Sequence, residues 1–63
     1  MAIYTRTIQS DGSIDFYGMR FSFLAGPQFA GLRCSLQYVN EGQFLGFDVE
    51  VDGRFVGFAT RRG

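Results

Sequence analysis

The stretch FLGFDVEVDGRFVGFAT, residues 44–60, is two runs of alternating apolar residues hinged on Asp52-Gly53. No other feature limits the fold as much. Two apolar runs joined by Asp-Gly read as a β-hairpin with a type I′ turn, whose two central residues both need positive φ. The turn sets the register: Val51 faces Arg54, Glu50 faces Phe55, Val49 faces Val56 and Phe47 faces Phe58. One face of the hairpin then carries Leu45, Phe47, Val49, Val51, Val56 and Phe58. The other carries Phe44, Asp48, Glu50 and Phe55, with Gly46, Gly57 and Ala59 keeping it low.

The rest of the chain is also strand-like. Nine glycines are scattered through it, and no long window has the i, i+3, i+4, i+7 spacing of an amphipathic helix. Residues 2–8, AIYTRTI, are β-branched and aromatic; SDG at 10–12 turns the chain. A second strand starts at 13–18 with Ile14 and Phe16 on one face, and strand character resumes after Gly18 with Met19, Phe21 and Phe23. Gly26-Pro27 bars a strand interior, so residues 24–31 are expected to plug one barrel end through Leu24, Phe29 and Ala30. In residues 32–38, Leu32, Cys34, Leu36 and Tyr38 alternate inward against Arg33, Ser35 and Gln37. The expected fold is all-β: one domain over 1–63, a small SH3-like antiparallel barrel of about five strands with one short plug turn.

Sixty-three residues hold one core at most, yet 17% of them are aromatic, including eight Phe and three Tyr. A barrel this small cannot enclose them all. Some must lie on the surface, beneath loops or in a contact with another chain. Six arginines (Arg6, Arg20, Arg33, Arg54, Arg61, Arg62) balance six acids, so the net charge is zero and bulk attraction to phosphates or lipid headgroups is not expected. Cys34 is the single cysteine, which excludes an intrachain disulfide and favours a reducing compartment. The first ten residues lack a signal peptide's apolar run, and no stretch reaches membrane-spanning length. A cytoplasmic location, with no membrane partner, is expected.

The patterns SDGSIDFYGMRFSF, GLRCSLQY and FDVEVDGRFVGFAT together resemble the small β-barrel that follows the catalytic domain in Mu-type and other integrase-like transposases. Gly12, Ile14, Gly18, Leu24, Gly31, Val49, Val51, Gly53, Phe55, Gly57 and Ala59 match, and Phe21 stands where that family usually has tyrosine. The resemblance covers residues 5–60 and implies the barrel fold. It also implies a phage or mobile-element origin, and a role in holding DNA or touching neighbouring subunits. The family's catalytic domain is missing here, and its barrels are basic where this one is neutral and lacks lysine.

Little in the chain suits catalysis. There is no histidine, the residue that titrates near neutral pH without help. Asp48 and Glu50 alternate on one strand face, a spacing open to paired-carboxylate chemistry but equally that of a solvated face, which is preferred. Cys34 sits in the inward register as a small apolar residue. One cysteine and no histidine leave no zinc pattern, GPQFAGLR is not a phosphate loop, and no cofactor is expected. Arginines beside aromatics are what remain, a composition shared by single-strand binders and protein interfaces. The expected function is therefore non-enzymatic: a binding module that modulates a host nucleic-acid-processing or defence complex. Its partner-binding residues are expected to be Phe44, Phe55, Arg54, Arg20, Arg61 and Arg62. The alternatives are a DNA-contacting barrel, with weak nucleic-acid binding at most, and a structural homo-oligomer.

Overall fold

The computed structural model describes residues 2–42 and 44–61, with Phe44 placed by its backbone. Six strands form: β1 (Ile3–Thr7), β2 (Ser13–Phe16), β3 (Met19–Ser22), β4 (Arg33–Glu41), β5 (Phe44–Val51) and β6 (Arg54–Arg61). A 3₁₀ turn, Gly26–Phe29, links β3 to β4. All neighbours are antiparallel, in the order β1-β4-β5-β6-β3-β2. The two edges, β1 and β2, lie in contact, so the sheet rolls into a nearly closed all-β barrel of SH3-like size. The sixth strand arises because Tyr17 and Gly18, at φ 51° and 81°, form a second two-residue turn of the type I′ kind between β2 and β3.

Alternation fills the interior from β2 to β6, with Tyr4 of β1 packed against it. Ile14, Phe21, Phe23, Cys34, Leu36, Phe47, Val49, Val51 and Ala59 are buried together with Ile8, which follows β1. Phe47 is the hub: its ring lies 4.8 Å from Phe16, 4.9 Å from Phe21 and 5.7 Å from Tyr38. Such edge-to-face and tilted pairs add to the burial energy of each ring. The one buried polar side chain among the described residues, Ser13, donates its hydroxyl to Asp11 Oδ1 at 2.6 Å while its N–H donates to the same oxygen at 2.9 Å. Its desolvation is thus offset by hydrogen bonds.

The seam between β1 and β2 is fastened differently. The ladder stops at these two strands, and side chains cross instead. The Tyr4 ring lies 4.9 Å from that of Phe16. The Arg6 guanidinium sits 4.9 Å from the Phe16 ring centre and 5.4 Å from that of Tyr17, within cation–π range.

Below the barrel the 3₁₀ turn is seated by backbone contact. Gly12 has φ 86°, and a Cβ there would fall 2.4 Å from the Pro27 nitrogen. Only glycine fits both the angle and the gap. Of the residues expected to plug the barrel, Phe29 packs against the core, whereas Leu24 and Ala30 are exposed. Leu24 lies beyond the end of β3, in the turn that leads into the 3₁₀ segment, and its side chain is fully exposed.

The last hairpin corrects the expected register beyond its first two pairs. Asp52 and Gly53 have φ 53° and 77°, the type I′ requirement, and Val51↔Arg54 and Glu50↔Phe55 hold. A bulge then intervenes, so Val49 faces Gly57, Asp48 faces Phe58 and Phe47 faces Ala59. Val56 is the extra residue, and everything after it changes face. Ala59 is buried inward, and Gly57 backs onto Phe23, whose ring would lie 2.8 Å from a Cβ there. Phe58, expected inward, instead lies on the outer row with Asp48, half-buried. Its ring covers Gly46, so the low strip expected along Gly46, Gly57 and Ala59 does not exist. Leu32, Tyr38 and Leu45, also expected inward, are half exposed. Leu32 precedes the first residue of β4, while Tyr38 and Leu45 lie where β4 and β5 run on past the last β1 pair, Ile3↔Gln37.

Candidate protein-interaction surface

At the turn end of the β5–β6 hairpin the surface is apolar and concave. Phe29, Leu32, Val51, Phe55 and Val56 line an open hollow of about 490 Å³. Phe55 is 62% exposed because it precedes the bulge and keeps the outward side opposite Glu50. Arg54 and Asp52 stand at the rim. Bulges commonly re-aim side chains in this way. The hollow lies between the chain that leaves the 3₁₀ turn, carrying Phe29 and Leu32, and the turn end of the β5–β6 hairpin.

The six expected partner-binding residues do not form one site. Arg54 and Phe55 meet at the hollow. Arg61 lies at the far end of β6, seven residues away and roughly 20 Å along the strand, opposite Phe21 of β3. Arg20, on β3, is exposed and faces Asp15 across the β2–β3 hairpin, with Nη1 3.8 Å from Asp11 Oδ2. An exposed pair of this kind contributes little stability. The side chain of Phe44 and the whole of Arg62 lie outside the described residues. Sequence reasoning missed Phe29, Leu32 and Val56, which build the hollow with Phe55. The available signal was Gly31 just before Leu32, which marks where the chain leaves the plug and exposes its next side chain.

The remaining candidates for chemistry resolve plainly. Cys34 is buried, and burial pushes its thiol above the ordinary cysteine range, so it is held as the protonated, unreactive form. A polar hollow lined by Gln9, Ser10, Asp11, Ser13, Asp15 and Arg20 faces the β2–β3 side. The Ser13 hydroxyl and N–H, helped by the Arg20 charge, hold the Asp11 carboxyl below the usual range. An acid so stabilised as its anion is a poor proton donor. Asp48 and Glu50 share the outer face of β5 at alternate positions, and neither makes an ion pair among the described residues. No group of three His, Cys, Asp or Glu close enough to hold a metal ion occurs among the described residues. No helix among them is long and apolar enough to cross a membrane. Comparison with protein-family models, with curated proteins and with solved structures finds no match for this chain.

Proposed function

We propose that this chain is a non-enzymatic binding module that docks a protein partner at the end of its β5–β6 hairpin. The observation that carries the reading is Phe55, a phenylalanine left mostly in water beside an apolar hollow. Burying a phenylalanine stabilises by about 1.5–3 kcal/mol, so exposing one on a neutral protein is an aggregation hazard unless a partner covers it. An aromatic beside a pocket, with an arginine at the rim, is also the usual make-up of an interface hot spot. Following the transposase-like pattern of the sequence, the module is a phage or mobile-element accessory protein of the cytoplasm. Its partner belongs to a host nucleic-acid-processing or defence complex. The outward carboxylates of Asp48 and Glu50 argue against duplex binding on this face, since they repel the phosphates that dominate such contacts.

The test is affinity capture from host lysate with wild type, Phe55→Ser and Tyr38→Ser as bait. Tyr38 is similarly exposed but lies away from the hollow. A partner retained by wild type and Tyr38→Ser but lost with Phe55→Ser supports the reading. Equal capture by all three baits removes it. Sedimentation of the isolated chain checks the homo-oligomer alternative.

A further inference from the structure

The outer face that leads away from the hollow has a regular layout. Two cross-strand rows traverse it: Ile3–Gln37–Asp48–Phe58, and Thr5–Ser35–Glu50–Phe55. Each row holds one carboxylate and no cation. The first is closed at one end by Ile3, 65% exposed, and at the other by Phe58; the second ends in exposed Phe55. Asp48 and Glu50 stand two residues apart on one strand, which spaces their carboxylates by about 7 Å. Two residues further along β5 the strand reaches the turn and the hollow. On the β2–β3 side, by contrast, Asp11 and Asp15 both face Arg20. Neither acid of β5 has such a partner among the described residues.

From this juxtaposition, and resting on the protein-binding reading above, we infer that the face docks an extended basic segment of the partner. Its pattern is cation-x-cation-x-apolar, running along β5. In an extended chain alternate side chains point the same way at about 7 Å intervals, matching Asp48 and Glu50. Two residues later the same side of the segment delivers an apolar side chain into the hollow beside Phe55. Arginine suits both cation positions, because its flat guanidinium can pair with a carboxylate and stack on the ring beside it, Phe58 in one row and Phe55 in the other. A second copy of this chain does not fit, since nowhere in the sequence do two arginines stand two residues apart.

The experiment titrates a fluorescein-labelled peptide, TRTRTLT, against the full chain. The comparison probes are TETETLT, TRTRTST and a 12-base-pair DNA duplex, and amide chemical shifts map the contact. TRTRTLT is expected to bind, to weaken with added salt, and to shift amides of β5 and β6 around Glu50 and Phe55. Asp48→Asn/Glu50→Gln keeps side-chain shape and should weaken it about tenfold; a melting curve confirms that the variant is folded. TRTRTST should bind more weakly than TRTRTLT, and TETETLT should not bind. Equal affinity of the double variant and wild type, shifts confined to another face, preference for the duplex, or no binding of TRTRTLT at millimolar concentration each overturns the inference. The double variant also serves as bait in the lysate capture. A partner that it retains, and that Phe55→Ser loses, sinks the basic-segment inference while leaving the binding-module reading standing. Loss of the Phe55 dependence itself sinks both.

Discussion

The barrel contains two hairpins closed by the same kind of turn and put to opposite use. In β2–β3, Tyr17 and Gly18 take the two positive-φ positions; in β5–β6, Asp52 and Gly53 do. The first hairpin keeps simple register through four pairs and turns Phe21 into the core and Phe16 against Phe47 and Tyr4, while Tyr17, 77% exposed, lies 5.4 Å from the Arg6 guanidinium. Its outward charges, Asp15 and Arg20, face each other. The second hairpin breaks register at a bulge, leaves Phe55 mostly in water and presents carboxylates that have no ion-pair partner among the described residues. One hairpin is built to hold the barrel shut. The other is held by the barrel so that its tip and outer face are free to be covered.

The largest test of that contrast is Phe21→Ala. Removing a buried ring from the hub should cost about 3–5 kcal/mol in urea denaturation. A cost below about 1 kcal/mol would mean that the first hairpin is not part of the core.

Next come the two turns. Gly18→Val and Gly53→Val each force a β-branched residue to positive φ, with nothing else nearby to clash. Each should cost about 1–3 kcal/mol. A wild-type melting temperature for either variant breaks the turn assignment of that hairpin, and for Gly53 the outward placement of Phe55 with it.

Phe55→Ser should change stability by no more than about 0.5 kcal/mol, because the side chain is mostly in water already. Strong destabilisation would place Phe55 inside and erase the difference between the hairpins.

The smallest effect is one of pH. The folded state holds the Asp11 carboxyl low, mainly through the Ser13 hydroxyl and N–H. Its contribution is therefore present above the unfolded pKa and is lost as pH falls below the ordinary carboxylate range through the lower folded value. Asp11→Asn should lower the melting temperature slightly at pH 7 and flatten its decline in acid. Parallel wild-type and variant curves in that range would remove the assignment.

These positions also show what could be read from residues alone. Asp52-Gly53 announces its turn, because both residue types favour the required angles, and the pairs next to it follow at once. Tyr17-Gly18 makes a similar turn unannounced, since tyrosine carries no preference for positive φ. The bulge was hidden for a different reason. Along Phe55-Val56-Gly57-Phe58 nothing local says which residue is surplus. The choice is made across the barrel, where Phe23 occupies the volume over Gly57 and leaves no inward place for the Phe58 ring. Of the hollow, only the exposure of Leu32 after Gly31 had a local signal; that Phe29 and Leu32 meet Phe55 depends on the path of the chain through the 3₁₀ turn. Exposure of some aromatics was readable from number alone, but which ones depended on register.

The seam gives this small barrel a grain. Hydrogen exchange should report it: the amides of β1 and β2 that face each other have no ladder partner and trade protons as fast as water reaches them, while those of β4 and β5, paired on both sides, wait for global opening. A sheet fastened by rings and a guanidinium can part along that line without breaking a single ladder hydrogen bond. Opening along the Tyr4–Phe16 seam would leave the β4–β5 ladder intact.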